Sequence, residues 1–392
     1  MASGVRAVTV LVCGDARSLP LHDATVQCVV TSPPYWGLRD YGLPPGVWGG
    51  DATCQHEWSH APRGWGGGPQ GKTGQRADRT FTAHGSPVVV GSCAHCSAWL
   101  GVLGLEPTPD LYIQHLVETF REVKRVLRDD GTVWLNLGDC YHAGNRGGYD
   151  RTRVGVSKNT GAAASDFLAA PNRLPQVGLK PKDLVGIPWR VAFALQADGA
   201  TSPETMERVG RLLAAITDSY ESREEWPDRI RQEVERLECE WTDAHRGAWY
   251  LRSDIVWAKP NPMPESVRDR PTRSHEYLFL LSKSERYYYD YRAISEPLAA
   301  SSAKRTSAQL LRRNARSVWF IPTQPYRGAH FATFPEKLVE PCVLAGCPEG
   351  GVVLDPFCGS GTVGVVAARH GRKFVGVELK PDYIRLAQER IG

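Results

Sequence analysis

A strand, a glycine-rich turn and the start of a helix follow one another near the carboxyl end of this chain. The apolar run Val352–Leu354 precedes the octapeptide Asp355–Thr362 (Asp-Pro-Phe-Cys-Gly-Ser-Gly-Thr), and the small apolar stretch Val363–Ala368 follows it. Such a turn lets the backbone approach a ligand, and the amino terminus of the helix points to the same place. This order predicts an α/β fold that holds a nucleotide-like molecule at the carboxyl ends of parallel strands.

A second predicted strand ends in a proline-rich corner near the amino terminus. The apolar run Val26–Val30 leads through Thr31 into Ser32–Tyr35 (Ser-Pro-Pro-Tyr). Proline lacks an N–H group and has a fixed φ, so the two prolines end the strand and hold backbone carbonyls rigidly at the sheet edge. Carbonyls held in this way can accept hydrogen bonds from an amine.

Together the two segments resemble the motifs of the amino-group DNA methyltransferases. In that family Ser/Asp/Asn-Pro-Pro-aromatic holds the target base and Asp-Pro-Phe-x-Gly-Ser-Gly-Thr holds S-adenosylmethionine. The catalytic segment comes first in this chain, which is the circularly permuted order of the β class. The resemblance covers nearly the whole chain and implies a Rossmann-like methyltransferase fold, class α/β, with a seven-stranded mixed sheet and a small target-recognition region.

The resemblance also implies which residues contact the cofactor. Asp355 is expected to be the counterion of the methionine ammonium group, and Glu378, at the end of the next strand, can accept both ribose hydroxyls. Asp15, Glu378 and Asp139 each have the alternative of being ordinary polar strand ends. The full expected set is Asp15, Asp355, Pro356, Phe357, Gly359, Ser360, Gly361, Thr362, Glu378, Phe331, Thr333 and Phe334.

The expected catalytic residues are Ser32, Pro33, Pro34 and Tyr35. An exocyclic amine is a poor nucleophile because its lone pair is delocalised into the ring, so the Pro33 carbonyl and the Ser32 hydroxyl are expected to accept its hydrogens and aim the lone pair. Attack on the methyl group is then direct. The base must leave the duplex, and Tyr35 is its expected stacking platform. Trp36 either flanks this pocket or is buried against the sheet.

Serine at position 32 bears on the choice of base. Within the family, Ser-Pro-Pro-Tyr is associated with cytosine N4 and Asp-Pro-Pro-Tyr with adenine N6. We therefore favour cytosine N4 and keep adenine N6 as the alternative. A pair that looks like a carbon-5 methyltransferase nucleophile, Pro341-Cys342, is interpreted as core because it lies in a helical stretch.

Four ligand-type residues occur in two close pairs, Cys54-x-His56 and Cys93-x-x-Cys96. This spacing favours a closed Cys3His zinc site, which would stabilise a segment poor in apolar residues. Unrelated buried thiols are the alternative. The remaining histidines of this segment that could replace His56 are His60, His84 and His95.

Basic residues concentrate between Glu296 and Glu336, and the segment between these two residues contains no acidic residue. Clusters of this kind suit contacts to DNA phosphates, and a solvated loop is the alternative for any single arginine. The expected DNA-binding residues are Arg305, Arg312, Arg313, Arg316 and Arg327.

Chain length and local patterns suggest the domain organisation. The N-cap sequence Thr108–Asp110 and apolar residues at helical spacing predict a helix that ends near Gly131, and a strand follows at 132–137. The expected divisions are 1–40 as the catalytic half of the core, 41–104 as an irregular zinc-binding insertion, 105–199 as core with a mobile basic loop at 141–182, 200–246 as an inserted helical pair, 247–295 as core, 296–329 as the target-recognition segment and 330–392 as the cofactor half.

The expected partner is double-stranded DNA. A cognate restriction endonuclease is a second expected partner if the protein belongs to a restriction-modification system. The net charge of +4 is mild, no run is long and apolar enough for a bilayer, and the cytoplasm of a bacterial or phage-infected cell is the expected location. Either a monomer or a homodimer is compatible with the sequence. Two functional alternatives stay open: a zinc-containing DNA-binding protein that no longer turns over, and an RNA or protein methyltransferase.

Overall fold

The computed structural model describes residues 8–38, 40–58, 80–81, 87–88, 91–142, 176–199, 227–228, 230–236, 248–298, 312–324 and 333–392. The strands are β1 (Thr9–Cys13), β2 (Val26–Thr31), β3 (Gly46–Trp48), β4 (Thr80–Phe81), β5 (Pro87–Val88), β6 (Gly91–Ser92), β7 (Trp99–Gly101), β8 (Leu127–Leu137), β9 (Tyr250–Ala258), β10 (His275–Ser282), β11 (Glu296–Pro297), β12 (Arg312–Arg313), β13 (Val318–Phe320), β14 (Val352–Asp355) and β15 (Lys373–Glu378). The helices are α1 (Pro109–Val126), α2 (Ile187–Ala197), α3 (Glu336–Gly346), α4 (Thr362–Arg369) and α5 (Pro381–Ile391).

A mixed sheet of eight strands in the order β1-β15-β14-β2-β8-β10-β9-β13 organises the molecule. The strands from β1 to β8 in this order run parallel, so their carboxyl ends share one edge. β10 runs antiparallel to β8, and its amino end therefore lies at that same edge. The edge can collect polar residues from strands that are far apart in sequence.

Helices cover both faces of the sheet. Residues of α1 and α2, among them Phe120 and Val191, form one buried apolar cluster with the sheet. Residues of α3 and α4, among them Val339 and Val366, form the other. The near-continuous apolar sequences of the central strands follow from this two-sided burial.

The Rossmann-like α/β fold is confirmed, with three differences from the sequence prediction. The sheet has eight strands rather than seven because the short strand β13 pairs with β9. Helix α1 ends at Val126 rather than near Gly131, because Leu127 already pairs with Val26 of β2. The segment 41–104 is less irregular than predicted, since β3, β7 and β6 form a three-stranded sheet.

Several predicted features lie partly or wholly outside the described residues. These are 143–175 of the basic loop, most of the segment 200–246, and Arg305, Phe331 and Arg327 of the expected site. Within 200–246, residues 230–236 are helical. Among the helices that the structure describes, none combines the length and apolarity needed to cross a membrane.

Candidate active site

The two corners singled out in the sequence are in direct contact. β2 and β14 are neighbouring parallel strands, with Cys28 opposite Val353 and Val29 opposite Leu354. At their carboxyl ends the Thr31 hydroxyl donates a hydrogen bond of 2.7 Å to Oδ1 of Asp355, and both side chains are buried. The proline-rich corner and the glycine-rich corner therefore form one site, although 324 positions separate these two residues.

A cavity of about 330 Å³ opens between the two corners. Its volume is at the lower end of the range that ligand pockets occupy. The predicted residues that line it are Asp15, Ser32, Pro34, Thr333, Phe334, Asp355, Pro356, Phe357, Gly359, Ser360, Thr362 and Glu378. Apolar and aromatic side chains such as Trp48 and Leu386 complete the wall, so the cavity has a mainly apolar lining with a few acidic groups.

Asp355 is an acid in an unusual environment. Its side chain is buried, and burial raises the pKa to about 7, although hydrogen bonds from the Thr31 hydroxyl and the Phe357 amide favour the charged form. A cation placed beside a buried carboxyl group favours its charged form and lowers its pKa. A cationic ligand group in the cavity would convert Asp355 into a paired carboxylate.

Glu378 is held at the end of β15 by backbone groups. Its Oε2 accepts from the Gly359 amide at 2.9 Å and its Oε1 accepts from the Lys380 amide at 3.0 Å. Burial raises the pKa of Glu378 above its usual value. The amide donors leave each oxygen with a further lone pair, so this carboxylate can accept ligand hydroxyls as well.

Gly361 has a different place from that expected. It is not among the residues that line the cavity. It precedes α4 with φ of +78°, and a Cβ there would lie 2.9 Å from the Cβ of Ala387. The structure therefore explains this glycine by backbone conformation and by close packing against α5.

Asp15 lines the cavity together with Arg17, which the sequence reading missed. The Arg17 guanidinium forms an ion pair of 2.6 Å with Asp15, and it lies 4.0 Å from the ring centre of Trp48. Burial alone would raise the pKa of Asp15, but the hydrogen bonds and charge of Arg17 outweigh it and lower the pKa. Asp15 is thus ionised and fixed at the cavity wall.

The proline-rich corner is held in place by the core. The Tyr112 hydroxyl donates a hydrogen bond of 2.8 Å to the Pro34 carbonyl. Trp36 is buried, and its indole N–H donates to the Glu106 carbonyl at 2.9 Å. Of the two predictions for Trp36, burial against the core is the one observed.

A chain of hydrogen bonds runs from Ser32 to a carboxylate. The Ser32 hydroxyl donates to the Tyr35 hydroxyl at 3.2 Å, and the Tyr35 hydroxyl donates to Oε2 of Glu276 at 2.8 Å. Because the serine hydrogen points to Tyr35, the lone pairs of the Ser32 oxygen stay available to an amine in the cavity. The acceptor role of Ser32 stays a prediction, and this geometry is compatible with it.

Glu276, at the amino end of β10, is itself held in place. Lys259 forms an ion pair with its Oε1, and the Asn136 amide donates to its Oε2 at 3.3 Å. Burial, followed by the negative charge of Glu276, raises the pKa of Tyr35 well above its usual value. Tyr35 is therefore a neutral phenol that donates.

The ring of Tyr35 packs closely against the end of β8. A Cβ on Gly138 would lie 2.4 Å from a ring carbon of Tyr35. Glycine at this position lets the ring lie against the strand end, and any side chain would push it away. Neither Tyr35 nor Pro33 lines the cavity itself, whereas their neighbours Ser32 and Pro34 do.

The sequence of the chain matches known proteins over nearly its whole length. A family model described as DNA methylase, covering the N6 and N4 enzymes, matches residues 26–389. The chain belongs to the N6/N4 DNA methylase family. It is similar to the type II methyltransferase M.Cfr9I of Citrobacter freundii, with 39% identity over 96% of this chain and 86% of that protein.

Similarity extends over the full chain in a second relative. The type II methyltransferase M.SmaI of Serratia marcescens is 40% identical over 100% of this chain and 93% of that protein. Among solved structures, the cytosine-N4-specific PvuII DNA methyltransferase has 15% identity and a TM-score of 0.47 and covers 99% of this chain and 90% of its own. The family membership rests on the sequence matches.

Three polar residues of this DNA methyltransferase site were missed in the sequence: Asn136, Lys259 and Glu276. The pair His275-Glu276, directly before the apolar run 277–281, was a visible signal. What the sequence does not report is that β10 is antiparallel, which brings the start of this strand to the carboxyl edge of the parallel strands.

Asp139 has a structural role. Its Oδ1 accepts from the Gly186 and Ile187 amides, each at 3.0 Å. It thereby satisfies two donors at the amino end of α2. Of the two alternatives left open for Asp139, the described contacts favour the structural one.

The Cys–His cluster, which consists of Cys54, His56, Cys93 and Cys96, comes together in the structure. One ligand atom from each residue lies within 4.8 Å of the others. The Cys54 and Cys93 sulfurs are 3.9 Å apart, which is too long for a disulfide, and Nδ1 of His56 lies 3.4 Å from the Cys96 sulfur. His95 points elsewhere, since its Nε2 contacts Glu57 at 3.2 Å.

The basic segment is partly engaged within the protein. Arg313 and Arg316 form ion pairs with Glu296, and Arg312 donates to the Ser295 hydroxyl at 2.8 Å. Arg312 and Arg316 are exposed. Their assignment to DNA contacts stays a prediction, and the pairing with Glu296 reduces the charge that they would present.

Proposed function

We propose that this DNA methyltransferase transfers a methyl group from S-adenosylmethionine to N4 of a cytosine that has left the duplex, within a specific DNA sequence. The observation that carries the proposal is the hydrogen bond from Thr31 to Asp355. It joins the amine-accepting corner to the cavity that holds the buried acid. A methyl donor in the cavity and an amine at Ser32 would then be neighbours.

The cavity fits the expected cofactor. Asp355 offers a carboxylate to an ammonium group, Glu378 offers lone pairs to ribose hydroxyls, and the remaining wall is mainly apolar, as an adenine ring requires. When bound, S-adenosylmethionine supplies an electrophilic methyl group on a sulfonium. The cavity thus contains complementary groups for its charged, hydroxyl-bearing and aromatic parts.

The catalytic corner would orient the amine. The Ser32 oxygen and the Pro33 carbonyl accept its two hydrogens, so that the nitrogen lone pair is localised and directed at the cavity. The methyl group would pass directly to this lone pair, the electron pair of the broken bond would stay with the leaving sulfur, and the nitrogen would then release a proton to solvent. No covalent bond to the protein is needed.

Cytosine is favoured by the neutral acceptor at position 32. Ser32 donates to Tyr35 and carries no charge of its own, while the nearest carboxylate along the chain of hydrogen bonds, Glu276, is engaged by Lys259 and Tyr35. Ser-Pro-Pro-Tyr is the form associated with cytosine N4 in the family. Adenine N6 is the alternative that the experiment below separates.

The remaining partners follow from this activity. Duplex DNA would be the substrate, with phosphate contacts from the segment that contains Arg312 and Arg316, and a cognate restriction endonuclease would cut the same unmodified sequence. A structural Zn²⁺ in the Cys–His cluster would be a second cofactor. The reaction would take place in the cytoplasm, where DNA and methyl donor are both present.

The choice of base is tested by incubating the purified protein with methyl-labelled S-adenosylmethionine and duplex DNA, and by identifying the labelled nucleoside by mass spectrometry. We expect N4-methylcytosine. Label found only in N6-methyladenine would reject the cytosine assignment and retain the enzyme class. Label in RNA or protein but not in DNA would reject the substrate class, and no label in any acceptor would favour a binding protein without turnover.

A further inference from the structure

The paired strands β3 and β7 lie beside the Cys–His cluster and form one wall of the cofactor cavity. We infer that one Zn²⁺, bound by Cys54, His56, Cys93 and Cys96, fixes this strand pair and thereby sets the affinity of the cavity for S-adenosylmethionine. The inference rests on the cofactor site proposed above. It gives the metal a function beyond stabilising the insertion.

The cluster has the geometry of a closed zinc site. Ligand sulfurs of a tetrahedral zinc are about 3.8 Å apart when each Zn–S bond is about 2.3 Å, and the Cys54 and Cys93 sulfurs are 3.9 Å apart. The His95 amide lies 3.4 Å from the Cys93 sulfur and donates to it. Such N–H···S bonds stabilise thiolate ligands, as neighbouring hydrogen bonds do in metal sites generally.

The cluster is continuous with the cavity wall. Cys93 directly follows β6, and Cys96 precedes β7, which pairs with β3 in the register Gly46–Gly101 and Trp48–Trp99. The wall residues contributed by these strands and the turn after β7 are Gly46, Trp48, Gly101, Val102 and Leu103. A displacement at the metal ligands is therefore transmitted within a few residues to atoms that face the cavity.

Arg17 connects this wall to the cofactor-binding edge of the sheet. Its guanidinium donates to the Val47 carbonyl in β3, lies over the Trp48 ring and forms the ion pair with Asp15. If β3 moves, Arg17 loses its hydrogen bond to the Val47 carbonyl and its contact with the Trp48 ring. The position of Asp15, an expected cofactor contact, depends on the same strand.

The strand pair is also anchored to the core. Trp48 and Trp99 both stack on His115 of α1, with ring centres 4.6 and 5.3 Å away, and His115 contacts the buried carboxylate of Glu106 at 3.0 Å. This anchor does not depend on the metal. We therefore expect loss of zinc to loosen the cavity wall and to leave the main sheet folded.

Metal and cofactor must then be coupled reciprocally, because two ligands that stabilise the same conformation strengthen each other's binding by the same factor. Couplings of this kind are typically about 5- to 150-fold. We expect removal of zinc to weaken S-adenosylmethionine binding by roughly tenfold. Saturating cofactor should raise the zinc affinity by the same factor.

The test uses the full-length purified protein. Metal content is measured by plasma mass spectrometry, and S-adenosylmethionine binding is measured by calorimetry, for the protein as isolated, after treatment with a chelator, and after Zn²⁺ is added back. The variants Cys54→Ser and Cys96→Ser remove ligands, and His95→Gln is the matched control because it changes a neighbouring side chain that points away from the cluster. Circular dichroism of each sample reports whether the main fold persists.

We expect one zinc per chain, weaker cofactor binding in the chelated protein and in both cysteine variants, recovery when Zn²⁺ returns to the chelated protein, and no change in His95→Gln. Absence of zinc would overturn the metal site. One zinc per chain with cofactor affinity unchanged on its removal would overturn the coupling. Failure of the zinc-loaded protein to bind S-adenosylmethionine at all would instead contradict the proposed function.

Discussion

Replacing Asp355 by asparagine is expected to weaken S-adenosylmethionine binding by about 2–4 kcal/mol, roughly 30- to 1000-fold, and to reduce methyl transfer at limiting cofactor accordingly. The amide keeps an oxygen that can accept from the Thr31 hydroxyl, so the contact between the two corners survives. What it lacks is the negative charge that would face the ammonium group of the cofactor in the proposed site. Calorimetric titration with the cofactor measures the effect.

Asp382→Asn is the matched control for Asp355→Asn. Asp382 is an exposed acid at the start of α5 and pairs with Arg385. The same chemical change there should leave the dissociation constant within about twofold, as surface substitutions usually do. Equal binding by wild type and Asp355→Asn would remove Asp355 from the cofactor site.

The same residue predicts how binding depends on pH. Burial holds the pKa of Asp355 at about 7 in the free protein, so the carboxyl is mostly neutral below that pH and must lose a proton to pair with a cation. Affinity should therefore fall as the pH falls below about 7, by up to about tenfold per unit. Asp355→Asn, measured over the same range, should lack this part of the pH dependence.

Truncation of Tyr35 to alanine is expected to give the second large effect, on the base rather than on the cofactor. Stacking of a base on an aromatic ring contributes about 1–3 kcal/mol, so loss of the ring alone should lower the single-turnover rate of methyl transfer at limiting DNA roughly 5- to 150-fold. The cofactor dissociation constant should stay nearly unchanged, because Tyr35 does not line the cavity. Rapid-quench methyl transfer and calorimetry measure the two quantities.

Tyr35→Phe separates the ring from the hydroxyl. It keeps the stacking surface but removes the hydrogen bonds to Ser32 and Glu276, and we expect a loss of about tenfold, since a buried acceptor loses its donor. The rates should therefore rank wild type, phenylalanine, alanine. Equal losses in the two variants would show that the ring itself contributes nothing and that Tyr35 acts only by orienting Ser32.

The parts of this site that the sequence predicted are those set by local chemistry. Prolines end β2 at Thr31, and glycines at positive φ shape the turn between β14 and α4. Neither effect depends on contacts with distant parts of the chain. Both signals lie within a few residues of the groups they position. The signal for the zinc site is local in the same way, because each pair of ligands, Cys54 with His56 and Cys93 with Cys96, lies within a few residues.

The parts that the sequence did not predict depend on pairing between distant segments. Glu276 reaches Tyr35 across 241 positions, and only the antiparallel direction of β10 brings it to the catalytic edge. Arg17 became part of the cavity wall because β3 lies beside it. The end of α1 was also misplaced, since the pairing of Leu127 with Val26 overrides helical propensity over the next residues.

The central claim is that the two corners hold an extruded base and the methyl donor side by side. A crystal structure of the protein with S-adenosylhomocysteine and a duplex containing its recognition sequence tests it most directly. We expect the cofactor product between Asp355 and Glu378, and a cytosine outside the helix with its N4 within hydrogen-bond distance of the Ser32 oxygen and the Pro33 carbonyl. A cofactor bound elsewhere, or an extruded base that lies away from Ser32, would contradict the account.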